Sequence, residues 1–99
     1  MSEPVRSVEI VNRKGLHARA SAKLAELALS LPTKVMIRFE GESADARSIM
    51  DLLCLGAGIG SVVTLDADGD DAGAALDAVE ALFQDGFGEL EEDAACACK

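Results

Sequence analysis

The sequence predicts a single α+β domain. Its core is a four-stranded, largely antiparallel sheet with three helices on one face, in the order βαββαβα. Three observations lead there. Stretches with a hydrophobic period of 2 are interspersed with stretches of period 3.6. Two of the strand-like stretches follow each other with no helix between them, which argues against a purely parallel sheet. The chain has 99 residues, 49% of them apolar, enough for one core without a metal or disulfides. Only three residues are aromatic, all Phe, so that core is aliphatic.

The first strand is "VRSVEIV" (5–11), β-branched, with Val8 and Ile10 inward. "NRKG" (12–15) is a loop. From Ala18 to Leu29 the period becomes helical: Ala20, Leu24, Leu27, Ala28 and Leu31 share one face, Arg19, Lys23, Glu26 and Ser30 the other, and Pro32 ends the helix. "KVMIRF" (34–39) alternates, with Val35, Ile37 and Phe39 on one side. "EGES" turns the chain into the polar return strand "SADAR". "SIMDLL" (48–53) starts with Ser48 and has Asp51 three residues on, the pattern of a capped short helix. "VVTLDA" (62–67) is the fourth strand. In the last helix Ala72, Ala75, Leu76, Val79, Leu82 and Phe83 form the apolar stripe. Residues 1–88 make up the domain, and the acidic, Cys-containing 89–99 is read as a flexible tail.

The net charge of −9 excludes general nucleic-acid binding, which requires a basic footprint. That charge is lopsided. Residues 1–50 hold eight Lys/Arg and six Asp/Glu, whereas residues 51–99 hold one Lys and twelve Asp/Glu. Such asymmetry suggests one face for an anion or an acidic partner. The first residues contain no apolar stretch of signal-peptide type, and "LLCLGAGIGSVVTL" is too short and glycine-rich to span a bilayer. A cytoplasmic monomer with no membrane insertion is expected. Cys54, Cys96 and Cys98 lack the spacing of a disulfide framework and are read as reduced thiols.

Two motifs suggest ligands and fail on spacing. "GAGIG" (56–60) has its third glycine one residue too early for a dinucleotide loop and precedes a strand, not a helix. A helix C-cap and a loop suit it better. "DADGDD" (66–71) puts Asp71 and Asp77 where a calcium loop of the EF-hand type needs Gly and Glu. No metal and no cofactor are expected.

The one histidine is different. His17 lies in "NRKGLHARASAKL", with Arg13, Lys14, Arg19 and Lys23 around it, four of the chain's nine Lys/Arg. Gly15 permits a sharp turn just before the helix. His17 then stands at the helix N-terminus, where the N–H groups of Ala18, Arg19 and Ala20 point past the ring. That is an anion site, to which Arg19 adds a charged donor. The positive helix end and Arg19 favour the uncharged, nucleophilic imidazole. A nucleophile inside an anion site can hold a phosphoryl group covalently. With no second His, no Ser-His-Asp order and no Walker lysine, donor and acceptor chemistry must come from partners.

"GLHARASAKL" followed by "RSIMDLLCLGAGIGSVVTLDADGDD" resembles the histidine-containing phosphocarrier (HPr) family of the phosphoenolpyruvate-dependent phosphotransferase system, over about residues 5–88. The resemblance implies an open-faced β-sandwich with this element order. It implies that His17 receives phosphate from enzyme I at ring nitrogen Nδ1 and passes it to an enzyme IIA-type domain, with Arg19 serving both transfers. Such a protein is a phosphoryl carrier, not an autonomous enzyme. Ser48 matches the serine modified by HPr kinase/phosphorylase in many members, Ile49, Met50, Leu53 and Cys54 match the docking surface, and Lys23 is counted with them as a partner-docking residue. Ile49, Met50 and Leu53 cannot all face inward on so short a helix, so some apolar surface is exposed. Most members have proline where this chain has Ala20. Alanine restores an N–H but gives up about 0.4–1 kcal/mol of rigidity. "HARASAK" is most similar to the nitrogen-related, regulatory branch. The alternative reading is a regulatory binding module acting only through Ser48 and the docking helix. The presence of both His17 and Arg19 favours the carrier.

Overall fold

The computed structural model describes residues 5–89. Seven elements follow one another: β1 (Val5–Glu9), α1 (Ala18–Ser30), β2 (Val35–Phe39), β3 (Glu42–Asp45), α2 (Ile49–Leu55), β4 (Val62–Ala67) and α3 (Ala72–Gln84). The strands form one sheet in the order β1-β4-β2-β3. Every pairing is antiparallel, with Val8 opposite Val63, and Ile37 opposite both Leu65 and Ala44.

The period-2 pattern fixes which side of the sheet is covered. Val8, Val35, Ile37, Ala44, Val63, Leu65 and Ala67 are buried beneath the helices. Ser7, Arg38, Ser43 and Val62 belong to the opposite, open face. There Arg38 pairs with Asp66 across β2 and β4. Arg6 reaches the other way and bonds Asp77 and Glu80 of α3. The fold is an α+β open-faced sandwich.

α1 differs from its predicted stripe. Ala20, Ser21, Leu24, Ala25 and Ala28 are buried. Leu27 and Leu31 lie only at the margin of the core. Small side chains occupy the line of closest approach and the bulkier leucines flank it. Buried Ser21 is satisfied by donating its hydroxyl to the carbonyl of Leu16 at 3.1 Å. Leu24 is fully buried, and Leu24→Ala would cost about 2–5 kcal/mol. The α1 helix ends where Leu31 turns extended (ψ 147°) before Pro32. α2 runs two residues further than the sequence suggests, to Leu55, and stops at Gly56 in the left-handed conformation (φ 67°). Leu82 is only partly buried in the α3 stripe.

Glu89, the first residue beyond the expected domain boundary, is buried, 1% exposed. The rest of the predicted tail, including Cys96 and Cys98, lies outside the described residues. Among the described residues no helix is long and apolar enough to cross a membrane.

Candidate phosphoryl site

The loop before α1 is held by the glycine-rich run that follows α2. Gly15 has φ +62°, a conformation that favours glycine. A Cβ there would lie 2.5 Å from the Ala57 carbonyl oxygen and 2.7 Å from the Cα of Gly58. The Leu16 N–H donates to that same carbonyl at 3.0 Å. Asn12 closes the loop from within, its side-chain amide donating to the carbonyl of Gly15 at 2.9 Å. "GAGIG" thus supplies a helix cap at Gly56 and a close backbone approach at Gly58.

His17 is the N-cap of α1, with extended backbone (φ −76°, ψ −179°) and no side-chain bond to the helix. α1 has no acid in its first turn. The positive end of the helix is therefore left for an outside anion. Ala18 and Arg19 are exposed, whereas the Ala20 methyl is buried in the core. Ala20 can contribute to an anion site only through its backbone.

A carboxylate from the far end of the chain already meets the ring. Glu89 Oε2 lies 2.6 Å from His17 Nε2 and 3.4 Å from Arg19 Nε. Its Oε1 accepts from Asn12 Nδ2 at 3.0 Å. Burial pushes the Glu89 carboxyl up, but the bonds from Asn12 and His17 and the charges of His17 and Arg19 outweigh burial, so it titrates below its ordinary value. Glu89 arrives there through three successive left-handed residues, Gly86 (φ 63°), Phe87 (56°) and Gly88 (74°). A non-glycine in that region costs about 1–3 kcal/mol. Two contacts hold it. The Phe87 ring is fully buried, edge-on to Phe83 with centroids 4.9 Å apart, and its carbonyl accepts from Lys23 Nζ at 2.7 Å.

Lys23, expected among the partner-docking residues, directs its ammonium at this turn. Neither Asn12 nor Glu89 is foreseen as a site residue from the sequence. The only signal is two glycines straddling an aromatic in "GFG", which marks a turn after α3.

α2 packs against α1. Ser48 is its N-cap, and its hydroxyl accepts from the Asp51 N–H at 3.2 Å. Ile49, Met50 and Leu53 are 41%, 69% and 37% exposed, and Cys54 is an exposed free thiol. The exposed apolar surface anticipated on this short helix is present.

Fold and site together define a class: an open-faced β-sandwich with its histidine at an N-terminus that nothing in the first helical turn caps. The chain belongs to the HPr family of phosphocarrier proteins of the phosphotransferase system. Its residues 5–85 match the family described as PTS HPr component phosphorylation site. It is 50% identical to phosphocarrier protein HPr of Cupriavidus necator over 86 residues, 87% of this chain and 97% of the relative. It is 44% identical to phosphocarrier protein NPr of Shewanella violacea over 89 residues, 90% and 98% of the two chains. Among solved structures it is similar to HPr-C-His from Thermoanaerobacter tengcongensis, with TM-score 0.82 and 35% identity over 87% of this chain and 97% of that one.

Proposed function

We propose that this phosphocarrier accepts a phosphoryl group on His17 from enzyme I and passes it to an enzyme IIA-type domain in the cytoplasm. The observation that carries this reading is His17 at the uncapped N-terminus of α1, with the Arg19 guanidinium beside it. An imidazole there can attack phosphorus while the helix end and Arg19 balance the anionic oxygens. The exposed Ile49, Met50 and Leu53 supply an apolar docking face for both partners, with Cys54 beside them. Ser48, the α2 N-cap, is the proposed site of regulatory phosphorylation by HPr kinase/phosphorylase. The working unit is a monomer.

Incubation with enzyme I and labelled phosphoenolpyruvate tests the reading. Wild-type protein should take up label that is lost in acid, as phosphohistidine is. His17→Ala should take up none, and label on that variant would refute the assignment.

A further inference from the structure

Glu89 is the one buried acid among the described residues, its side chain only 2% exposed. A buried carboxylate is costly unless its oxygens are met. Here one oxygen takes a hydrogen bond from Asn12, and the other faces His17 Nε2 at 2.6 Å and Arg19 Nε at 3.4 Å. Held ionised by these neighbours, the carboxylate can only accept. An acceptor 2.6 Å from a ring nitrogen requires a hydrogen on that nitrogen. In the neutral imidazole the proton then sits on Nε2 and the lone pair on Nδ1.

We propose that Glu89 is a positioning residue that pins the His17 proton on Nε2 and so reserves Nδ1 for phosphoryl transfer; this rests on the carrier reading above. On loading, the Nδ1 lone pair forms the N–P bond as the donor's bond to phosphorus breaks, the donor keeping that electron pair. The ring retains its Nε2 hydrogen and becomes a phosphorylated imidazolium, whose positive charge faces the Glu89 carboxylate. On unloading the N–P bond breaks, its electron pair returns to Nδ1, and the phosphoryl group passes to the acceptor. No proton enters or leaves His17 in either direction. A carboxylate behind an imidazole plays the same part in hydrolytic triads. The left-handed turn at Gly86, Phe87 and Gly88, anchored by Phe83 and Lys23, fixes the backbone just ahead of Glu89.

The test combines two measurements on wild type, Glu89→Ala and Glu89→Gln. Nitrogen-15 NMR at about pH 8.5, above the ordinary imidazole range near 6.5, reads the His17 tautomer with no partner present. Transfer from enzyme I with labelled phosphoenolpyruvate gives the rate per folded molecule. Wild type should show the proton on Nε2. Glu89→Ala should show a mixed tautomer and a rate about tenfold lower or less still, the scale of one charge-assisted hydrogen bond. If Glu89→Ala does not fold, Glu89→Gln, which keeps the volume and an acceptor oxygen but loses the charge facing the imidazolium, should hold the tautomer and still slow transfer. A proton on Nδ1 in wild type overturns the proposal. So does a variant with a lowered melting temperature but unchanged tautomer and rate, which would make Glu89 merely structural. A wild type that shows the Nε2 tautomer yet takes no label overturns the carrier reading instead.

Discussion

The N-termini of α1 and α2 solve the same problem in opposite ways. α2 is closed by its own sequence: Ser48 caps it, accepting from the Asp51 N–H, and Asp51 itself sits in the first turn. α1 has neither device. His17 occupies its N-cap without bonding the helix, and the negative charge comes from Glu89, 72 residues away. A helix end satisfied locally is robust and has nothing left to offer. One left uncapped, with a distant carboxylate standing behind its histidine, keeps its N–H groups open to a phosphoryl anion. The comparison predicts that damage to the supports of α1 is costly and that damage at α2 is mild.

The largest effect should come from Gly15→Ala. The new methyl group would need a left-handed backbone and would meet the Ala57 carbonyl oxygen at 2.5 Å. Both faults lie against backbone that cannot move without shifting the loop after α2. Denaturant unfolding should show a loss above about 2 kcal/mol, and transfer from enzyme I should fall with it. A stable, active Gly15→Ala would mean that the α1 entry is less constrained than its geometry implies.

Acid should separate the two regions next. The carboxyls of Glu89 and of Asp45, just before α2, both titrate below their ordinary range, Asp45 because of its bonds to Arg47. A lowered folded-state value contributes stability that is present above the unfolded carboxyl's value, about 4, and is lost as pH falls through the folded one. Glu89 is buried, whereas the Asp45 side chain is 24% exposed and more screened by solvent. Removing Glu89 should therefore flatten the acid limb of the stability curve more than removing Asp45. Thermal melts of Glu89→Gln and Asp45→Asn between about pH 3 and 6 would decide it. Ser48→Ala ranks below these. It removes one N-cap bond, worth about 1 kcal/mol.

What could be read from the sequence follows the range of the interactions. Strand β4 emerges at its expected bounds, Val62–Ala67, because a β-branched run between turns is a local signal. His17, Ala18, Arg19 and Ala20 are adjacent, so a single helix start gathers them. The exposed face of α2 followed from three apolar residues on too short a helix. The buried faces were less legible: Ser21 and Ala25 join the core because α1 presents its small side chains inward, a choice made by its neighbours. Glu89 was not legible at all. It stands among other acids, "ELEED", and only the Phe87 turn distinguishes it. The bond from the Lys23 ammonium to the Phe87 carbonyl, 64 residues away, carries no local signal either.

The smallest structural effect, and the sharpest test of the closed end, belongs to Ser48→Asp. Aspartate caps a helix about as well as serine, and its charge suits the macrodipole. Asp51 three residues on is a like charge, which opposes that gain. The two nearly cancel, so stability should stay within about 0.5 kcal/mol, and the melting temperature should hold or rise slightly. Binding should respond in the other direction. Ile49 and Met50 directly follow Ser48 and are largely exposed, so a hydrated anion beside them repels an acidic partner and costs desolvation. Label uptake from enzyme I should slow, chiefly through weaker association, in the same sample whose melting is unchanged. Unchanged kinetics would remove the regulatory role proposed for Ser48. A large fall in melting temperature would show instead that α2, for all its local capping, depends on the serine hydroxyl in a way that aspartate cannot replace.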